Sequence, residues 1–294
     1  MLNTHFSRIF RLLPLLAITL LPLSSAANVL KMGLKQALDK HMITVSGMGT
    51  AQGYKRLQLN LENKSGSTLQ LTMEAGIIFR PDDSLQQELV QAGGEMLTLP
   101  PFRTGSVEVK TFCAQEFSSV PTAGMAFRFD RMAGAPLPEI LQYIRTNRIP
   151  DDLAQRAVWA VTTGISLHSV YDDTREQMAN QLVKYLSGVT GLPVPHYYRL
   201  RGLQNTPGQP AQAPKSLKIY AAFEEKLQEP KKLTLGVYNA EGEMIQQVFT
   251  DRMFGKAGHR FRVTFEADDV SPGMYYIRLK EGDNVLREQA VEVL

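Results

Sequence analysis

The sequence has one cysteine and few histidines, which limits the chemistry it can carry. Cys113 is the only cysteine among 294 residues, so no intrachain disulfide can form. The five histidines are far apart, and neither an H-x-x-x-H nor a C-x-x-C pattern occurs. None of the aspartate pairs follows the ligand order of a calcium loop. We therefore expect no metal site and no cofactor, and we expect core burial alone to stabilise the fold.

An excess of one charge is lacking as well. The chain has 32 Lys and Arg residues against 29 Asp and Glu residues, a formal net charge of +3. Nucleic-acid binding needs a concentrated basic face, so this balance argues against a nucleic-acid partner. The content of 44% hydrophobic and 21% charged residues is that of a globular protein and excludes wholesale disorder.

No apolar run is long enough to cross a bilayer. The most apolar segment, residues 12–23, has about a dozen residues, whereas a spanning helix needs roughly 20. Arg8 and Arg11 precede it and the small residues 24–26 follow it, which is the order of a secretory signal peptide. We predict that residues 1–26 are removed and that no transmembrane segment remains. The protein is then expected outside the cell or at its surface, with the periplasm as the alternative.

A change of composition divides the remaining chain. Residues 199–214 contain three prolines together with Gln, Ala and Gly, without apolar periodicity. Such a segment is typical of an extended linker. It would separate a first domain, residues 27–198, from a second domain, residues 215–294.

The first half of the first domain has the period of β structure. Leu57, Leu59 and Leu61 alternate with polar residues, and the same alternation returns at residues 69–73. The N-K-S-G-S segment between the two runs predicts a hairpin turn. Its Asn63-Lys64-Ser65 triplet matches a glycosylation acceptor, but we interpret it as part of the turn. Further alternating runs up to residue 129 predict a β-sandwich.

After Pro136 the apolar period changes to about 3.6 residues. Three segments carry apolar residues on one helical face, and they begin near Pro138, Asp151 and Asp172. Trp159, the only tryptophan, lies in the second of them, and we expect it to be a buried anchor. We therefore predict about three helices after the sandwich, an α+β arrangement within a mainly β protein.

The second domain is almost purely β in pattern. Five to seven short runs alternate in hydrophobicity, and the segments N-A-E-G-E and K-E-G-D-N are typical hairpin turns. The length and spacing favour a small immunoglobulin-like β-sandwich. The alternation continues to Leu294, which suggests that the chain ends in the last strand of a packed domain.

This second domain resembles two known families. The segments L-T-L-G-V-Y-N-A-E-G-E and V-S-P-G-M-Y-Y-I-R-L are similar to the C-terminal sorting domain of the bacterial type IX secretion system and to the immunoglobulin-like domain of flagellar hook-capping proteins. The chain departs from the sorting family in lacking its opening Asn-Pro turn and its basic terminal residue. The resemblance implies an immunoglobulin-like fold, secretion machinery as a partner, and delivery or attachment as the role. The positions that carry it are Val237, Tyr238, Asn239, Gly242, Val270, Gly273, Tyr275 and Ile277. The first domain resembles only uncharacterised exported bacterial domains.

Three hypotheses of function remain from the residues. The first is a non-enzymatic binding or adhesion protein at the cell surface, with a protein or glycan ligand. The second is an exported cysteine hydrolase that uses Cys113 and His168, because a thiol nucleophile needs a nearby imidazole. The third is a structural component of a periplasmic envelope complex. For the first hypothesis the candidate contact patch is His196, Tyr197, Tyr198, Arg199 and Arg201, where aromatic and basic residues alternate.

Overall fold

The computed structural model of the chain describes residues 29–52, 55–164, 166–203 and 206–294, and the predicted signal peptide lies outside these ranges. The described residues form a mainly β protein with few helices and sandwich-like sheets, as predicted. The helices are α1 (Leu34–Asp39), α2 (Leu137–Thr146), α3 (Asp151–Thr162) and α4 (Glu176–Thr190). The strands are β1 (Val29–Gly33), β2 (Ile43–Gln52), β3 (Lys55–Asn63), β4 (Thr68–Thr72), β5 (Ile77–Pro81), β6 (Leu89–Gln91), β7 (Met96–Leu99), β8 (Thr104–Val109), β9 (Thr111–Cys113), β10 (Ala126–Met132), β11 (Tyr197–Leu203), β12 (Gln212–Lys226), β13 (Lys231–Tyr238), β14 (Met244–Phe254), β15 (Gly258–Glu266), β16 (Gly273–Glu281) and β17 (Asn284–Val293).

Two sheets pack face to face in the N-terminal part. One has the strand order β1-β4-β7 and the other the order β8-β3-β2-β10-β5-β6-β9. The alternating leucines that predicted β structure lie in the core between them: Leu57, Leu59 and Leu61 from β3 face Leu69 and Leu71 from β4. Burying these side chains on both inner faces removes apolar surface from water, which stabilises the sandwich.

The predicted hairpin between β3 and β4 is wrong. The strand β3 pairs with β2 and β8, whereas β4 pairs with β1 and β7 in the opposite sheet. The segment between them crosses from one sheet to the other. Alternation with period two shows which side chains are buried, but it does not show which strand lies alongside, so the sequence left the pairing undetermined.

The buried Asn63 holds this crossing in place. Its Nδ2 donates to the carbonyls of Ser67 at 2.8 Å, Leu99 at 3.1 Å and Pro100 at 2.9 Å. Its Oδ1 accepts from the backbone N–H and the hydroxyl of Ser65, at 2.9 and 2.7 Å. The side chain has no exposed surface, which agrees with its interpretation as part of a turn.

We expect Asn63→Ala to lower the free energy of unfolding by about 2 kcal/mol, because it leaves buried carbonyls without donors. Asn60, an exposed residue of β3, provides the matched control, and Asn60→Ala should cost less than about 0.5 kcal/mol. Urea unfolding of both variants measures the difference. Equal midpoints for the two variants would show that Asn63 does not stabilise the crossing.

The three predicted helices are confirmed, and they cover one end of the larger sheet. Ile78, Val90 and Phe112 project from β5, β6 and β9 into a second core shared with α2, α3 and α4. Their neighbours on the same strands, among them Phe79 and Cys113, project into the core between the sheets. Because these strands are buried on both faces where they meet the two cores, consecutive residues there are apolar, as in Ile78-Phe79 of β5 and Phe112-Cys113 of β9. Trp159 is 1% exposed, which confirms the buried anchor.

The C-terminal part is a second two-sheet sandwich. Its sheets have the orders β11-β12-β15 and β14-β13-β16-β17, and all their pairs are antiparallel. Both predicted hairpins are present, β13–β14 and β16–β17. Inward residues of both sheets form a third core that includes Ile219, Val237, Phe265, Ile277 and Val291.

The prediction of an extended linker at residues 199–214 is wrong over its described part. Residues 197–203 form β11, which pairs along β12, and β12 itself begins at Gln212. Between the two strands the backbone bonds to the first sandwich: the Gly208 N–H donates to the Val120 carbonyl at 2.9 Å and the Ala211 N–H to the Ser118 carbonyl at 3.2 Å. Every residue of β11 is half-buried, so neither face of the strand is distinctly apolar and no period-two signal appears.

Candidate functional site

A cleft lies where the helices meet the C-terminal sandwich. It has a volume of about 630 Å³, within the range of small-molecule binding sites. One wall is the outward face of β12 and β15, and the other is the start of α4 with the loop before it. The wall residues alternate along each strand, because only every second side chain points outward. The lining of the cleft includes Tyr171, Asp173, Glu176, Asn180, His196, Tyr198, Lys218, Tyr220, Ala222, Arg260, Arg262 and Thr264.

Three tyrosines form the floor of the cleft. The rings of Tyr171 and Tyr198 stack with centroids 4.4 Å apart, and Tyr220 lies 4.7 Å from Tyr171 in a tilted arrangement. The Tyr220 hydroxyl donates to Asp173 Oδ2 at 2.9 Å, and the Tyr198 hydroxyl donates to Asn180 Oδ1 at 3.2 Å. Aromatic stacking and these hydrogen bonds attach the C-terminal sandwich to the helices.

Charged side chains form the rim. Glu176, in the first turn of α4, lies between two arginines of β15: its Oε1 is 3.3 Å from Arg260 Nη2 and its Oε2 is 3.1 Å from Arg262 Nη2. The arginine side chains are 49% and 63% exposed. Arg260 donates a hydrogen bond to Glu176 and Arg262 forms an ion pair with it, so both guanidinium groups keep further N–H groups exposed to solvent.

The surroundings of two tyrosines in the floor of the cleft raise their pKa. Burial raises the pKa of Tyr171 to about 12, and the carboxylates of Glu176 and Asp173 add to the shift. Burial and the bond to Asp173 also raise the pKa of Tyr220. Both phenols therefore stay protonated at neutral pH, and Tyr220 donates its hydrogen bond to Asp173 in that form.

The structure separates the contact patch predicted at residues 196–201. His196 and Tyr198 line the cleft. Tyr197 instead packs against the third core, and its hydroxyl accepts from the Glu292 N–H at 3.3 Å. Arg199 Nη1 bonds Glu292 Oε2 at 3.0 Å, and Arg201 Nη1 bonds Glu116 Oε1 at 2.8 Å. Tyr197, Arg199 and Arg201 therefore connect β11 to neighbouring segments beside the cleft and do not line it.

The residues that carry the family resemblance have structural roles in the C-terminal sandwich. Val237 pairs with Ile277 across β13 and β16 within the core. Asn239 Oδ1 accepts from the Glu243 N–H in the hairpin turn, at 2.8 Å. Gly242 has φ +86°, the left-handed region that favours glycine. The remaining positions also belong to the fold: Tyr238 ends β13, Gly273 begins β16, Val270 packs against the core, and the Tyr275 hydroxyl donates to the Ser271 carbonyl.

The two residues of the hydrolase hypothesis lie in different settings. Cys113 has no exposed surface, and the side chain of Gln155 bonds its backbone N–H and carbonyl at 2.9 and 2.8 Å. His168 instead bonds Ser166 Oγ through Nδ1 at 2.6 Å and rests against Tyr197. Burial and the nearby Arg199 lower the pKa of His168. A sealed thiol does not meet a substrate, so this conformation offers no nucleophile at Cys113.

Over the described ranges, no three His, Cys, Asp or Glu side chains are grouped so that they could hold a metal ion. No helix in the part of the chain that the structure describes has the length and apolar character needed to cross a membrane.

Most residues of the cleft were not identified from the sequence. Tyr171, Tyr220, Arg260 and Arg262 come from three separate segments, and only the docking of the sandwich on the helices brings them together. The one local signal is the alternation of Arg260 and Arg262 along β15, which places both on the same outward face. Comparison with protein-family profiles, with curated proteins and with solved structures finds no match to this chain.

Proposed function

We propose that this chain is an exported, non-enzymatic binding protein that takes a protein or glycan ligand at or beyond the cell surface. The cleft between the helices and the C-terminal sandwich carries this proposal. It combines an aromatic floor with convergent polar and charged groups, which is the composition of a binding site. The signal-like sequence of residues 1–26 supports export.

The structure does not favour a cysteine hydrolase, because Cys113 is buried in β9, where Gln155 bonds its backbone N–H and carbonyl. The described side chains of the cleft also include no hydroxyl or thiol held by a neighbouring imidazole, the arrangement that nucleophilic catalysis requires. A binding role needs only shape and complementary polar groups, and both are present in the cleft.

For the C-terminal sandwich we propose a role in delivery or attachment. The role is the one that the resemblance to the sorting domain implies. The two antiparallel sheets and the Tyr275 hydroxyl bonded to the backbone four residues upstream support the immunoglobulin-like fold on which that resemblance depends. Fractionation of the producing cells, with detection of residues 215–294, tests this role. Surface or medium fractions should contain the domain. Recovery only from the periplasm would remove the delivery role and favour the structural component of an envelope complex.

Ala222→Trp tests the binding site. Ala222 is an exposed residue of β12 in the cleft wall, so an indole there fills the cleft without entering a core. We expect ligands found on a glycan array or a panel of surface proteins to bind at least about tenfold more weakly, a loss of about 1.4 kcal/mol. Ala126→Trp is the matched control, since Ala126 is an exposed strand residue that does not line the cleft. Equal binding by the two variants would place the ligand elsewhere.

A further inference from the structure

We propose that the ligand of the cleft is an acidic oligosaccharide, whose carboxylate displaces Glu176 from Arg260 and Arg262. This inference rests on the proposed function and narrows its ligand class. It is carried by the two exposed guanidinium groups, the polar lining of the cleft and the position of Glu176 between the arginines.

The charges of the cleft favour an anion. Lys218, Arg260 and Arg262 line it, against the carboxylates of Asp173 and Glu176. Lys218 also pairs with Glu266 at 3.2 Å, so the two arginines are the groups that attract an anion. Asp173 already accepts the Tyr220 hydroxyl, so Glu176 is the carboxylate that competes with a ligand for the arginines. Arginine pairs with carboxylates through its planar fork of donors, which a ligand carboxylate can use as Glu176 does.

The exchange of carboxylates costs little. Glu176 and both arginines are at least a quarter exposed, so their contacts are screened by water and contribute little to stability. Glu176 lies at the start of the 15-residue α4, where the helix dipole favours a negative charge. A ligand carboxylate that takes the place of Glu176 is stabilised by the same helix dipole, while the Glu176 side chain turns to solvent.

The remaining lining suits a sugar better than an apolar ligand or a peptide. Tyr171 stacks on Tyr198 and also packs against Tyr220, and hydroxyl and amide groups, among them those of Thr264 and Asn180, line the cleft beside the rings. A peptide would add to the edge strand β15, but Gln246 Nε2 already donates to the Thr264 carbonyl there, at 2.8 Å. Many hydroxyls and one carboxylate match these donors and acceptors.

Calorimetric titration of the mature chain tests the inference with four probes: trigalacturonic acid, a hyaluronan tetrasaccharide, neutral maltotriose and hexaglutamate. We expect at least one acidic oligosaccharide to bind, with an affinity that falls as salt is added, and maltotriose not to bind. Binding of maltotriose alone would overturn the acidic class and leave the proposed function standing. Binding of hexaglutamate alone would replace the saccharide with an acidic peptide. If array, panel and probes all fail to bind, the proposed function falls as well.

Variants of the rim separate displacement from a structural role. Glu176→Gln removes the competing charge, so the acidic oligosaccharide should bind about threefold more tightly, the gain expected when screened ion pairs no longer compete. Arg260→Gln combined with Arg262→Gln should weaken it at least about tenfold. Arg128→Gln is the control, because Arg128 is 64% exposed, pairs with Asp82 and does not line the cleft. If the only role of Glu176 were to hold β15 against α4, Glu176→Gln would weaken binding. That result would contradict the proposal.

Discussion

Arg201→Met should lower the free energy of unfolding by about 3 kcal/mol at pH 8, because it leaves a buried carboxylate without its counterion. Glu116 is 3% and Arg201 11% exposed at the side chain, and their Oε1–Nη1 distance is 2.8 Å. The pair joins the loop after β9 to β11, and the Glu116 carbonyl also accepts the Gln212 N–H at the start of β12. Denaturant unfolding measures the loss.

The pH dependence of this loss identifies its cause. Burial raises the pKa of Glu116, even though Arg201 acts in the opposite direction. Removing Arg201 should raise the pKa of Glu116 further. Protonation of the Glu116 carboxyl at low pH then removes the cost of burying an unpaired charge in the variant. When folding raises the pKa of a carboxyl group, the free energy of unfolding falls as the pH rises from the pKa of the unfolded state towards the pKa of the folded state. The cost of Arg201→Met should therefore be small near pH 4 and grow towards pH 8.

The double variant Arg201→Met with Glu116→Gln removes both charges and should unfold within about 1 kcal/mol of the parent at pH 8, since neutral groups avoid the cost of burying charge. A loss at pH 8 that equals the loss of the single variant would show that side-chain packing, not charge, dominates at this joint. A loss that does not change with pH in the single variant would lead to the same conclusion.

Trp159→Ala should cost about 4 kcal/mol, the range measured for large aromatic side chains removed from a core. Trp159 is 1% exposed on α3, yet its ring belongs to the core between the two N-terminal sheets, where Cys113 and Ala211 also lie. Its loss would open a cavity where the helices, the first sandwich and the chain before β12 meet. Thermal or urea unfolding measures the cost.

Trp159→Phe separates volume from hydrogen bonding. Within the described residues the indole Nε1 has no hydrogen-bond partner, so phenylalanine removes an unsatisfied donor while it keeps most of the ring. We expect a cost of about 1 kcal/mol. Leu85→Ala, at an 81% exposed position, should change stability by less than about 0.5 kcal/mol. A cost for Trp159→Ala no larger than that of Leu85→Ala would contradict the anchor role.

The sequence predicted the parts of the fold that local patterns determine. The hairpin of β13 and β14 is set by a turn with Gly242 at positive φ, and α2 by Pro138 in its first turn and an apolar stripe. The crossing between β3 and β4 was missed because alternation shows burial but not partners. The strand β11 was missed because it packs against all three cores and has no distinct apolar face.

The candidate site was less accessible to sequence reasoning than the fold. Of the predicted patch, His196 and Tyr198 line the cleft, while Arg201 forms a buried ion pair instead. The rest of the cleft depends on the contact between Tyr220 and Tyr171, which are separated by almost 50 residues in the sequence. The docking of the C-terminal sandwich determines this contact, and no local motif predicts it. Long-range packing of this kind leaves no periodic signal.

The C-terminal sandwich is docked on the N-terminal part through a hydrogen-bonded segment, so that the cleft between this sandwich and the helices is a fixed site. Amide hydrogen exchange at Val120, Gly208 and Ala211 tests this docking most directly, because their N–H groups form three of the backbone bonds between the two parts. We expect all three amides to exchange as slowly as those of β11 and β12. Exchange at the rate of an unstructured peptide, with β12 still protected, would mean that the segment is a free linker and that the cleft has no fixed walls.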